Sequence, residues 1–223
     1  MDIHIDIRRT LSPAEFGPEA LLAKYTGTIY RSLPHRVVGR ARAYVVPIEQ
    51  ARDHGHQALD FLDVDGDVWP YHVLLSRREA GAFSAAVNRI LGTDEVFNQN
   101  LLIIDRVDIL PRYRGHDYGL QAMHLMLTHL SLGCRLAAIK PYPLQLEVPG
   151  AMGVDRSWHQ RLQLERFTLT PSQAMRKLRS HYACLGFAPV PSTDFMVRDL
   201  EDGYLMNWDN IASAQRDGVQ EID

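Results

Sequence analysis

Val107-Asp108-Ile109-Leu110-Pro111-Arg112-Tyr113-Arg114-Gly115-His116-Asp117-Tyr118-Gly119-Leu120 reads as the end of a strand, a turn with two arginines and two glycines, and the start of a helix. Upstream, the apolar run at residues 101–104 continues through Val107 and Ile109 and describes a buried strand that Pro111 ends. Downstream, Leu120, Met123, Leu127 and Leu130 recur at spacings of three and four. They form one apolar helical face, with Gly133 as its natural stop. Residues 136–139 are the next strand, closed by Pro141 and Pro143. A strand–helix–strand order implies a crossover and a parallel or near-parallel pair.

The turn has a chemistry of its own. The first turn of a helix carries four free backbone N–H groups and the positive end of the helix dipole. Glycines let such a backbone approach a ligand, and Arg112 and Arg114 add charge suited to phosphate oxygens. Together they describe a pyrophosphate site. The same residues also fit an ordinary strand-to-helix turn with solvated arginines. Gly115 and Gly119 do not make a GxGxxG dinucleotide fingerprint, and no Gly-Lys-Ser or Gly-Lys-Thr of a Walker A loop is present.

Working outward, Ile3, Ile5 and Ile7 alternate as in a strand over residues 2–8. Ser12-Pro13-Ala14-Glu15 is a capping box with proline at the first helical position, and it predicts a helix toward Tyr30, broken at Gly17-Pro18. A second strand is expected over 37–48, and helices over 68–78 and 82–91. Thr170-Pro171-Ser172-Gln173 caps another helix, with Met175, Leu178, Tyr182 and Leu185 on one face and Gly186 at its end. Short strands over 187–190 and 195–199 complete one domain at residues 1–200, followed by a surface tail at 201–223. His124 and His129 are expected at the surface or its boundary.

Two motifs carry a resemblance. Residues 109–119, with Pro111, Tyr113, Arg114, Gly115 and Gly119, resemble the central Val-x-Pro-x-Tyr-Arg-Gly-x-Gly-x-Gly motif of the GNAT acetyltransferases, and Arg112 fits the Gln/Arg position that opens the loop. His181-Tyr182-Ala183-Cys184-Leu185-Gly186-Phe187 is similar to that family's Phe-Tyr-x-x-Leu-Gly-Phe. The resemblance covers roughly residues 100–200. It implies an α/β (α+β) fold: a central mixed, splayed sheet of about six to seven strands flanked by helices. It also implies acetyl-CoA as co-substrate. The backbone of Arg112, Arg114, Gly115, His116, Asp117, Tyr118, Gly119 and Leu120 would hold the pyrophosphate, and that of Ile109 and Leu110 the pantetheine arm. The sequence departs from the family at Asp117, where a second Gly or Ala is usual, and at Met175, near a common asparagine.

The implied reaction is direct attack of a primary amine on the thioester in a ternary complex. A thiol ionises near pH ~8.5, so the departing sulfur wants a proton donor, and Tyr182 takes that role by resemblance. An amine with a pKa of ~10.4 must lose a proton before or during attack. Asp105 is the candidate base; it also fits a salt-bridged strand residue, with water removing the proton. Strict alternation would put Asp105 and Asp108 on opposite faces, unless a bulge intervenes. The acceptor is a peptide or small-molecule amine, and a longer acyl-CoA fits the same site. A catalytically silent GNAT-fold module that binds CoA or a protein partner is the alternative, and a non-GNAT α/β protein binding another phosphorylated ligand is a third reading.

Residues 142–170, with Tyr142, Trp158, His159 and Arg161, form a long connection. It reads either as a cover over the acceptor site or as a surface decoration or dimer contact, and a homodimer suits the fold. No metal is expected. Asp63-Val64-Asp65-Gly66-Asp67 misplaces the glycine of a calcium loop and has Leu74 at the twelfth position, and Asp53, His54 and His56 lack a second cluster. A net charge of −3 argues against a nucleic-acid partner. No apolar run approaches the roughly 20 residues of a membrane span, and residues 1–6 lack the basic start of a secretory signal. A cytoplasmic location with Cys134 and Cys184 reduced is therefore expected.

Overall fold

The computed structural model describes residues 2–10, 17–76, 81–93, 96–147, 155–201 and 207–211. The strands among them are β1 (Ile3–Thr10), β2 (Ala23–Arg31), β3 (Arg36–Val46), β4 (Leu101–Ile109), β5 (Leu136–Ile139), β6 (Ala188–Pro189) and β7 (Met196–Asp199). They form one open, mixed seven-stranded sheet in the order β1-β2-β3-β4-β5-β7-β6. Every neighbouring pair is antiparallel except β4 with β5, the pair joined by the predicted crossover. The helices are α1 (Pro18–Leu21), α2 (Ile48–Asp53), α3 (Ala58–Asp63), α4 (Ala85–Leu91), α5 (Tyr118–Leu130), α6 (Arg156–Leu162) and α7 (Pro171–Ala183).

The unbroken apolar run of β4 has a simple cause: both faces of the sheet are covered. Leu102 and Ile104 pack with Leu120, Met123 and Leu127 of α5 in one cluster. Leu101 and Ile103 pack with Ile48 of α2, Leu62 of α3, Val87 of α4, Tyr71 and Leu74 in another. Leu120 and Leu127 are wholly buried, each stabilising the fold by about 1.5–3 kcal/mol. No helix among the described residues is long and apolar enough to cross a membrane.

Two irregularities in β4 shape everything that follows. First, β4 pairs with β5 over only three residues, Leu101 with Leu136, Leu102 with Ala137 and Ile103 with Ala138. Beyond Ile103 the two strands part, and the β4 edge facing β5 has no strand partner among the described residues. Second, the register with β3 passes from Ala43 opposite Ile104 to Arg42 opposite Arg106, which leaves Asp105 as the extra residue of a bulge. The bulge shifts the alternation by one. Asp105 therefore follows Ile103 on one face, and Arg106 and Asp108 join it there, opposite Arg42 and Arg40 of β3.

Several expectations change. The predicted helix toward Tyr30 is instead one turn, α1, followed by β2; the capping box at 12–15 lies outside the described residues. Tyr25, Thr26, Thr28, Ile29 and Tyr30 are β-branched or aromatic, and pairing on both sides of β2 overrides the helical signal. The helix expected at 68–78 is a short 3-10 run, Trp69–Leu74, and the one at 82–91 starts at Ala85 behind an Ser84 cap. Within the expected surface tail, Trp208 and Ile211 are buried in the α5-side core. His124 is buried too, its ring 6.0 Å from that of Trp208. Both cysteines are free.

Candidate functional site

The turn before α5 is built by left-handed backbone at Gly115 (φ 78°) and at Asp117 (φ 56°). Tyr113 and Arg114 donate their amides to Leu110 and Pro111 in a 3-10 turn that Pro111 opens. The amides of Gly115, His116, Tyr118, Gly119 and Leu120 then find no backbone acceptor among the described residues. The Asp117 side chain does not cap the first helical turn. It stands instead within electrostatic reach of His181 and Cys184 on α7. The result is a concave run of N–H donors with open space around Gly115, the arrangement that binds an anion.

Arg114 does something other than expected. Its Nε donates to the Ile109 carbonyl at 3.0 Å and its Nη2 to the Leu162 carbonyl at 2.5 Å, and its guanidinium lies over the Phe167 ring at 4.4 Å. It ties the turn to the 156–167 segment, so any anion there would meet the backbone rather than this side chain. Arg112 is exposed, over the Tyr113 ring. The Ile109 carbonyl and the Leu110 amide are likewise committed, to Arg114 and Val38.

A cleft of about 1780 Å³ runs from this turn across the gap between β4 and β5. It brings together Ile109, Arg114, Gly115, Asp117, Tyr118 and Gly119 with Asp105 and Tyr182. Leu110, Arg112, His116 and Leu120 do not line it, and the Leu120 side chain is wholly in the core. Of the predicted apolar face of α7, Leu178 and Tyr182 border the cleft, with Ala174 beside them, instead of being fully packed, which explains why Leu178 and Tyr182 stay partly exposed.

Asp105 sits on the bulge with Arg42 Nε 2.5 Å from its Oδ2. Arg42 also pairs with Asp67 at 2.9 Å. Tyr44 donates to Asp65 and Asp67, and Lys24 pairs with Asp65 at 2.8 Å. Two of the three aspartates that suggested a calcium loop, Asp65 and Asp67, are thus salt-bridge partners. Burial pushes the Asp105 carboxyl up to about 6, and Arg42 only partly offsets it. A carboxylate ionising that close to neutrality can exchange a proton under ordinary conditions.

Asp108 is 3 % exposed and plays a structural part. Arg106 Nε spans both its oxygens at 2.8 and 2.9 Å, and Trp158 Nε1 donates to Oδ2 at 3.1 Å. Burial raises its carboxyl, while Arg106 and Trp158 pull it back. Arg106 also holds Glu147. Trp158 is further held between Arg40 (4.1 Å) and Arg161 (4.9 Å), and Arg40 pairs with Asp155 at the cap of α6. Within the long connection, α6 is therefore docked onto β4 and β3 as a wall of the cleft.

Tyr182 projects from α7 into the cleft, and burial pushes its phenol up to about 12. Sequence reasoning missed Tyr71, which is 2 % exposed, lines the same cleft, and lies in the field of both Asp105 and Tyr182. It also missed Arg42 and Asp67, because nothing local in the sequence announces a contact made across a bulge.

Comparison with family models, with curated proteins and with solved structures gave no match.

Proposed function

We propose that the chain transfers an acetyl group from acetyl-CoA to a primary amine, on a GNAT-like fold. One observation carries this reading. The two motifs that resemble the family, separated by some 60 residues of sequence, meet at one cleft, over the gap between β4 and β5. The residues fit the co-substrate. The amides of Gly115, His116, Tyr118, Gly119 and Leu120, without a backbone acceptor among the described residues, suit a pyrophosphate. The β4 edge between Ile103 and Ile109, which has no strand partner among the described residues, offers hydrogen bonds to the amides of a pantetheine arm laid beside it. The cleft exceeds the ~300–1,000 Å³ of a typical small-ligand site, as a long cosubstrate and a second substrate require.

Magnitudes assign the roles. Stripping a proton from a free ammonium (~10.4) by Asp105 (about 6) is uphill by about 6 kcal/mol. Asp105 instead takes the proton as the C–N bond forms, when the nitrogen becomes acidic. Tyr182, at about 12, is a weaker acid than a thiol at ~8.5, so full transfer to the sulfur is uphill by about 5 kcal/mol. Tyr182 therefore acts as a hydrogen-bond donor to the departing thiolate, which takes its proton from solvent.

Calorimetry with acetyl-CoA tests the reading. Micromolar binding is expected for the wild type, with loss in Gly115→Glu, whose side chain would enter the open space of the turn. Absence of binding to the wild type would overturn it.

A further inference from the structure

Tyr71 is a buried titratable group that the chemistry above leaves unused. It sits in the 3-10 run Trp69–Leu74, its ring edge-on to Phe195 with centroids 4.9 Å apart. Its place in the core cluster with Leu74 and Phe195, at 2 % exposure, fixes the ring while it borders the cleft. The backbone amide of Lys140, one residue past β5, faces its oxygen. The hydroxyl is thereby held beside the end of β5, where β5 has already parted from β4. Asp105 on the bulge and Tyr182 on α7 are both close enough to act on it electrostatically.

Acyl transfer has three atoms that need partners: the attacking nitrogen, the leaving sulfur and the carbonyl oxygen. The function proposed above, on which this inference rests, gives the nitrogen to Asp105 and the sulfur to Tyr182. The carbonyl carbon bonds to both nitrogen and sulfur in the transition state, so its oxygen emerges between the groups that serve them. Tyr71 lines the same cleft as Asp105 and Tyr182 and lies in the field of both, as a donor to that oxygen must.

We propose that the Tyr71 hydroxyl donates a hydrogen bond to the thioester carbonyl oxygen and stabilises the charge that gathers there during attack. The ammonium first gives one proton to solvent; the freed lone pair then forms the C–N bond, and the carbonyl π pair moves onto oxygen. Collapse restores the C=O bond and breaks C–S, the pair leaving on sulfur. The nitrogen proton passes to Asp105 and returns to solvent, and the thiolate is protonated from solvent, so an amide and free CoA result. A phenol suits the task. Burial foremost, and Asp105 next, keep its proton in place throughout the neutral range. It also adds no positive charge that would repel an arriving ammonium. A donor fixed before the reaction needs no reorganisation during it.

Infrared difference spectroscopy of bound acetyl-CoA, isotopically labelled at the thioester carbonyl, reads this bond without an acceptor. Tyr71→Phe keeps the ring and removes only the hydroxyl. Wild type and Tyr71→Phe are expected to bind acetyl-CoA with similar affinity. The carbonyl stretch should fall in the wild type and return toward the free value in Tyr71→Phe, while Tyr182→Phe keeps the wild-type shift. Turnover in Tyr71→Phe should drop about 100-fold or more. Binding with a stretch that is the same in wild type and Tyr71→Phe overturns the role of Tyr71 and leaves the acetyl-CoA reading standing. No binding to the wild type removes both. Should Tyr71→Phe not fold, a fluorinated tyrosine at position 71, a stronger donor, is expected to lower the stretch further, and an unchanged stretch overturns the proposal.

Discussion

Arg42 reaches across the bulge to the one carboxylate that β3 leaves unopposed, its Nε 2.5 Å from Asp105 Oδ2. The bulge turns that carboxylate to the same face as Arg106 and Asp108. It also buries Asp105 enough that the guanidinium cannot hold the group at an ordinary carboxylate pKa.

On the proposed function Asp105 serves as base, and a base must be ionised to work. With Asp105 at about 6, amine acetylation should be present above that pH and fall as pH drops through it. The acidic limb of a kcat/KM profile should vanish in Asp105→Asn, whose residual rate should be flat there. Stability runs the other way. The folded state raises this pKa from 3.8, so ionisation costs stability, on the order of 3 kcal/mol, as pH rises from 3.8 through about 6. Denaturation midpoints of Asp105→Asn should lack that slope.

Tyr182→Phe should lower kcat by about 10- to 150-fold, the value of one hydrogen bond to a charged atom at about 1.5–3 kcal/mol. Acetyl-CoA affinity should stay close to that of the wild type. A loss of about 10⁴-fold would instead mark obligatory proton transfer by the phenol.

Trp158→Phe removes the indole donor from Asp108 Oδ2 and, with it, the five-membered half of the buried ring. A buried carboxylate short of one partner costs about 1–3 kcal/mol. Thermal denaturation should show a midpoint lower by roughly 3–9 °C. Because α6 walls the cleft, the acceptor profile should broaden while acetyl-CoA affinity holds.

Gly39→Ala should be far more damaging than Gly27→Ala. A Cβ at Gly39 would lie 2.2 Å from the Asp108 carbonyl oxygen, backbone that cannot move without parting β3 from β4. At Gly27 the nearest atom, at 2.8 Å, is the end of the Ile5 side chain, which can turn aside. Chemical denaturation should show a loss above about 3 kcal/mol for the first and roughly 1 kcal/mol for the second.

The central unit was legible because its signals are local. A doubly buried strand, a helix with apolar spacing of three and four, and caps at Thr170 and Gly186 each announce themselves within a few residues. β2 was not, since a capping box upstream outweighed β-branched residues whose pairing partners lie elsewhere in the chain. The common face of Asp105 and Asp108 depends on a bulge, which only the register with β3 reveals. Arg114 carries the right charge for phosphate, yet two carbonyls claim it, one of them 48 residues away. Tyr71 lies on a 3-10 run without periodicity, and its place in the cleft arises from Lys140 and Phe195.

The three-residue seam between β4 and β5 makes the middle of this sheet its least finished part. Elsewhere an open edge lies at the rim, where water completes it. Here it lies inside, and a molecule that fills it supplies the hydrogen bonds of an absent strand. Ligand occupancy and folding are then one equilibrium, with a gain of about 2.7 kcal/mol when the ligand stands at a hundred times its dissociation constant. In a cell, the amount of this protein that survives quality control would follow the supply of whatever completes its sheet.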